Sequence, residues 1–153
     1  MKPTRVLFVC HGNICRSPIA EYVFKDTVRR AGLEEAFEID SAATSREEIG
    51  NDIYPPAKDV MKAHGIAFGR RGARQMTKDD LEHYDYIIAM EGYNLRNMAR
   101  MFGNEAVKKV TLLMDYTGRP GDVSDPWYSG DFETAYRDIA EGCEGLLRKL
   151  TLK

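Results

Sequence analysis

The chain has 153 residues, an ordinary length for one domain, and its 43% apolar and 30% charged content suits a soluble globular core that needs no disulfide or structural metal. A net charge of −2 offers no basic excess for a nucleic-acid partner, and no apolar run nears the roughly 20 residues that span a bilayer. Three cysteines, an odd number, argue against a secreted disulfide framework, and the apolar run after Met1-Lys2-Pro3-Thr4-Arg5 is too short for a signal peptide, so the expected setting is the cytoplasm.

Arg5 to Val9 is a continuous apolar run, as expected of a strand buried on both faces. Ile19, Val23, Phe24, Thr27, Val28 and Ala31 then recur at helical spacing, with Gly32 as the stop. Phe37 to Ser41 reads as a second strand, and Ala57 to His64 as a helix entered through Pro55-Pro56 and closed by Gly65. Tyr84 to Ala89 is a third strand. Leu95, Met98, Ala99 and Phe102 form a helical stripe ending at Gly103, and Val107 to Met114 is a fourth strand. Phe132, Tyr136, Ile139, Cys143, Leu146, Leu147 and Leu150 line one face of a long C-terminal helix. The alternation predicts a single α/β domain over residues 1–153, a four-stranded parallel sheet with helices on both faces (flavodoxin-like). Ligands of such sheets bind beyond the carboxyl ends of the strands, which places the loop from Cys10 onward at the expected site.

That loop reads Cys10-His11-Gly12-Asn13-Ile14-Cys15-Arg16-Ser17-Pro18. A cysteine six positions before an arginine is weak by itself. Here it follows a buried strand, contains Gly12 and Asn13, which tolerate positive φ, and opens a helix whose first position is expected to be Pro18. Backbone N–H groups turned inward would make an anion nest, reinforced by the helix N-terminus. The same field would favour a Cys10 thiolate, and the Arg16 fork would grip two phosphate oxygens. Read as a plain surface cation, Arg16 would sit unfavourably in the first turn of a helix unless an anion lies between. Ser17 either caps the helix or donates to the Cys10 sulfur.

Displacing an alkoxide or phenolate from phosphorus needs a proton donor. Asp125, biased to an extended conformation by Pro126, follows the fourth strand, with Trp127 and Tyr128 as walls for a planar substrate. Asp-Pro is also a common turn opener, and Asp122 stands as the second candidate acid.

Taken together, these residues resemble the low-molecular-weight protein tyrosine phosphatase family. The likeness rests on Val9 to Pro18, on Asp40-Ser41-Ala42-Ala43-Thr44-Ser45, and on His64-Gly65-Ile66, Ala73-Arg74-Gln75 and Tyr84 to Ile88. It continues through Asn94-Leu95-Arg96, Asp125-Pro126 and Asp131-Phe132-Glu133-Thr134. The resemblance implies a Cys10 nucleophile that carries a cysteinyl-phosphate, phosphate held by Arg16 and the loop His11 to Ser17, and Asp125 as general acid and then base. It implies loop bracing by Asn13, Ser17, Ser41 and His64, and neither metal nor organic cofactor. It also implies phosphotyrosine-containing proteins as partners and inorganic phosphate as product; a monomer is expected, although the sequence does not set the oligomeric state. Cys15 matches the family's second loop cysteine, either a packing residue or the resolving thiol of a reversible disulfide with Cys10.

Glu47 stands where many relatives carry an aromatic pocket wall, and Tyr54 is the expected replacement. His11 either helps bind phosphate or points to solvent. The Arg70, Arg71, Arg74 cluster reads as a solvated or internally paired face, and the three histidines lack metal-ligand spacing. Three rivals are weaker. A thioredoxin-coupled arsenate reductase needs two further relay cysteines. A phosphoarginine phosphatase would carry threonine at Ile14. A non-catalytic phosphotyrosine-binding module should have lost Cys10 or Asp125.

Overall fold

In the computed structural model, which describes residues 2–152, β1 (Thr4–Cys10) pairs in parallel with β2 (Phe37–Ala43) on one side and β3 (Tyr86–Ala89) on the other. β3 pairs in parallel with β4 (Val110–Leu112), giving the order β2-β1-β3-β4. With both neighbours in place, β1 has no free edge, and its side chains alternate between two cores. Val6 and Phe8 pack with Ile19 and Phe24 of α1 (Arg16–Arg30) and with Ile139 and Leu146 of α7 (Phe132–Thr151). Leu7 and Val9 pack on the other face with Met98 of α4 (Gly92–Phe102). The uniform apolar run is thus the signature of two-sided burial. The chain moves from β1 to β2 on one side and then crosses to β3 on the other. The loops after β1 and β3 therefore diverge, and a crevice opens between them.

Two glycines on α7 bring the segment after β4 close. A Cβ on Gly145 would lie 1.8 Å from the Tyr116 carbonyl oxygen, and one on Gly142 2.5 Å from Leu113 Cγ. This contact closes the core beside α1, and Cys143 is fully buried within it.

The elements differ from the sequence expectations at several points; β2 runs two residues past Ser41 and β3 starts two residues after Tyr84. α1 starts at Arg16, two residues before Pro18. Pro18 is tolerated there because the first four helical N–H groups lack intrahelical partners, and the first full-turn bond runs from Ile19 N to the Cys15 carbonyl at 3.2 Å. The fourth strand is only Val110–Leu112. Val107 ends a short helix, α5 (Asn104–Val107), and the Asp115 carboxylate accepts from Leu112 N at 3.0 Å, turning the chain into a 3₁₀ helix (Leu113–Tyr116). Three short helices were not anticipated: α3 (Lys78–His83), α5 and α6 (Pro126–Ser129). α3 had a readable start, since the Asp80 carboxylate reaches back to accept from Thr77 N at 2.8 Å. The remaining helix, α2 (Pro55–Ala63), matches its expected position to within two residues. Among the described residues, no helix is long and apolar enough to cross a membrane.

Candidate active site

Cys10 is the last residue of β1 and is 3% exposed. The chain leaves it through a loop tied to the end of β2: the Cys10 carbonyl accepts from Thr44 N and the His11 carbonyl from Ser45 N, each at 3.0 Å. Asn13 takes φ 59°, in the left-handed region, which reverses the backbone and turns its N–H toward the sulfur. Asn13 N at 3.3 Å and Ser17 N at 3.4 Å donate to Cys10 Sγ, and the Ser17 hydroxyl lies within hydrogen-bond reach of it at 3.1 Å. The loop forms a nest with a sulfur at its centre.

A polar chain behind the loop holds these groups in place. Asn13 Nδ2 donates to Ser17 Oγ at 2.7 Å and to Ser41 Oγ at 3.0 Å. The Ser17 oxygen accepts from Asn13 and can also accept from the Cys10 thiol, while its own proton can turn to the sulfur when that sulfur is a thiolate. Ser41 in turn donates to the Glu21 carboxylate at 2.6 Å, and Lys25 holds the other Glu21 oxygen at 2.6 Å. Asn13 Oδ1 accepts from Arg74 N at 3.2 Å. Asn13, Ser17, Ser41 and Glu21 are all buried, so a missing partner in this chain would be costly. Ser17 does not cap α1; no side chain does.

Arg16, in the first turn of α1, is also 3% exposed. Its Nη1 donates to the Glu91 carboxylate at 2.7 Å and to the Val123 carbonyl at 3.0 Å, and its Nη2 lies 3.4 Å from Asp125 Oδ2. Burial works against the guanidinium charge, but Cys10, Glu91 and Asp125 together outweigh it and raise the pKa, so Arg16 is a fixed cation. Asp125 sits at the start of α6, where its Oδ1 accepts from Trp127 N at 3.0 Å. Cys10, Arg16 and Asp125 line one cavity of about 370 Å³. Trp127 and Tyr128 flank its mouth, both largely exposed, and Tyr93 and His11 stand beside it with ring centroids 5.9 Å apart.

Cys15 also lines the cavity, but burial pushes its thiol up to about 12, with Cys10 and Asp125 adding to the effect. It is a protonated thiol at any physiological pH. All three cysteines are free.

The other expected residues fall in different places. Gly12 and Ile14 line the cavity. His11 is not simply solvent-facing: its Nε2 donates to Glu47 at the rim. Glu47 lines the cavity but is exposed and offers no aromatic wall. Tyr54 backs Trp127, with rings 4.8 Å apart, and is not a lining residue. His64 does not brace the loop. It ends α2, where Gly65 at φ 72° turns the chain, and its ring stacks on Tyr136 at 3.9 Å while Nε2 meets Glu133 at 2.9 Å. Arg74 and Glu21 supply the bracing in its stead. Asp122 is spent elsewhere, since its Oδ1 accepts from Gly92 N at 3.0 Å. Glu91, Tyr93 and Glu48 were not anticipated. Glu91 follows β3, and a residue after the strand adjacent to β1 was a legible place to look.

The protein-family model described as low molecular weight phosphotyrosine protein phosphatase matches residues 5–153. The low molecular weight protein-tyrosine-phosphatase YfkJ of Bacillus subtilis is 40% identical over 147 residues, covering 95% of this chain and 94% of that one. Its crystal structure superposes with a TM-score of 0.93 over 98% of this chain and 96% of the other. The human low molecular weight phosphotyrosine protein phosphatase is 43% identical over 151 residues, covering 94% of each chain. A Drosophila arginine phosphatase structure matches with a TM-score of 0.86 at 32% identity, covering all of this chain and 99% of its own. Sequence likeness along nearly the whole length, carried on the same sheet and helices, means that the chain belongs to the low molecular weight phosphotyrosine protein phosphatase family.

Proposed function

We propose that the chain hydrolyses phosphotyrosine in proteins, and small aryl phosphates, through a cysteinyl-phosphate on Cys10. The observation that carries this reading is the convergence of two backbone N–H donors and a hydroxyl on Cys10 Sγ beside a buried arginine whose Nη2 faces a carboxylate. A phosphate dianion entering the nest meets the backbone N–H groups of the loop and the Arg16 fork, which hold charge on the equatorial oxygens through the transition state. Glu91 and the Val123 carbonyl fix the Arg16 plane, so orientation costs little at the moment of reaction. Cys10 attacks phosphorus and Asp125 protonates the departing phenolate oxygen. Water then attacks the cysteinyl-phosphate, Asp125 takes its proton, and inorganic phosphate leaves. Trp127, Tyr128 and Tyr93 in the lining suit an aryl group in the mouth. The enzyme acts as a monomer in the cytoplasm, a setting that three free thiols favour.

The test is a rapid-quench experiment with a ³²P-labelled phosphotyrosine peptide. Label should appear transiently on the wild-type chain and be absent from Cys10→Ser, whose turnover should be abolished. Turnover of Cys10→Ser within tenfold of wild type overturns the assignment. Likeness to a structure named as an arginine phosphatase supports a second reading, hydrolysis of phosphoarginine. Ile14 lines the cavity and favours an aryl over a guanidino group. Parallel assays on phosphotyrosine and phosphoarginine peptides separate the two.

A further inference from the structure

The rim of the cavity carries a charge that the chemistry does not use. Its lining includes one arginine, Arg16, and the carboxylates of Glu47, Glu48, Glu91 and Asp125. Glu91 and Asp125 belong to Arg16. Glu47 and Glu48 do not, and among the described residues neither forms an ion pair with a lysine or arginine. Each is instead positioned by a side chain that can donate without carrying charge. His11 Nε2 donates to Glu47, and Asn51 Nδ2 donates to Glu48 at 2.6 Å. The stem of Glu48 lies across the phosphate loop, its Cγ 3.4 Å from where a Cβ on Gly12 would stand. That packing sets its carboxylate near the entrance, where it contributes to raising the Cys15 thiol. The two carboxylates are held in place, neither paired with a lysine or arginine, beside the path of a dianion.

We propose that Glu47 and Glu48 make this cavity selective for phosphotyrosine flanked by lysine or arginine. The inference rests on the phosphotyrosine reading and concerns only what surrounds the reacting group. A bare dianion is repelled by the rim. A substrate bringing its own cations offsets that repulsion, and one with flanking glutamates adds to it. With two carboxylates acting at roughly 6–10 Å across a partly aqueous rim, exchanging flanking lysines for glutamates should change kcat/KM on the order of tenfold at low salt, shrinking as the Debye length falls to about 3 Å near 1 M.

The experiment measures kcat/KM for three phosphotyrosine peptides that differ only in the residues on both sides of the phosphotyrosine: lysine, alanine or glutamate. It uses the wild type and the double variant Glu47→Gln, Glu48→Gln, at low and high salt. The expected order is lysine over alanine over glutamate, with a spread of about tenfold that the double variant and high salt each reduce to about twofold. The spread should lie mainly in KM. Equal rates for the three peptides, or a preference that persists unchanged in the double variant, overturns the rim assignment while leaving phosphotyrosine hydrolysis standing. Failure of every phosphotyrosine peptide alongside turnover of phosphoarginine overturns both readings.

Discussion

Asp125 has two attachments, and a pair of substitutions separates them. Its Oδ1 accepts from Trp127 N at 3.0 Å and opens α6, while its Oδ2 faces Arg16 Nη2 at 3.4 Å. Asp125→Asn keeps an oxygen for the cap and keeps the bias imposed by Pro126, but it has no proton to give. Asparagine and aspartate cap helices about equally, so the loop should hold and Tm should move little. Asp125→Ala removes the cap as well, which costs about 1 kcal/mol, or roughly 2–4 °C in a domain of this size. Both variants lose the acid. For an alkyl or unsubstituted phenyl leaving group, kcat should fall by about 10² to 10⁴, equivalent to about 3–5 kcal/mol on the barrier. For p-nitrophenyl phosphate, whose leaving group departs unprotonated, the loss should be much smaller. Phosphate or vanadate should still bind, because the nest and Arg16 are unchanged. The assay is kcat against leaving-group pKa for the three proteins, with Tm measured alongside. A uniform loss across leaving groups, tracking a lowered Tm, would refute acid catalysis and leave Asp125 as a loop-shaping residue. Asp122 would not inherit the role, given its bond to Gly92 N.

Mild peroxide should inactivate the enzyme reversibly. Peroxide converts the Cys10 thiolate to a sulfenic acid, the Cys15 thiol displaces water from it, and a Cys10–Cys15 disulfide results. Dithiothreitol should restore activity, and mass spectrometry of the oxidised chain should show the link; recovery of Cys15→Ser as complete as that of wild type refutes a protective role. The loop that carries Glu47 and Tyr54 should weaken in acid through Asp52. Lys58 at 2.6 Å, with Arg71 N and Ile53 N, lowers the Asp52 carboxyl from 3.8 to about 2. A carboxyl depressed in the folded state stabilises it above the unfolded pKa, and that contribution disappears as pH falls from about 4 to about 2. Asp52→Asn should therefore cost about 1 kcal/mol at pH 7, after discounting for partial exposure, and almost nothing near pH 2. Denaturant unfolding across that range checks it, and a pH-independent difference would show that Asp52 acts through packing alone.

What could be read from the sequence was whatever depends on neighbours along the chain. Val6 to Val9 announces two-sided burial because all four residues are apolar, and both cores are found there. Cys10, Gly12, Asn13 and Arg16 announce a nest because the loop is local, and only the start of α1 is misplaced, by two residues. Strand four was overextended because its end is imposed by a side chain, Asp115, capping Leu112 N. His64 was misassigned for a related reason: a motif gives its place at the end of α2 but not the direction of its ring, which α7 decides by offering Tyr136 and Glu133. Arg16 shows where local reading stops. A cation in the first turn of a helix is unfavourable unless an anion faces it. The sequence leaves that anion to the substrate alone. The fold supplies two more, Glu91 at 75 positions' distance and Asp125 beyond it, brought in by the crossover that sets β3 beside β1. Arg16 thus stays buried and oriented before phosphate arrives. Its Nη1 is bound to fixed partners, while its Nη2 meets only a looser 3.4 Å contact with Asp125. A phosphate oxygen can compete for that second edge without disturbing the first.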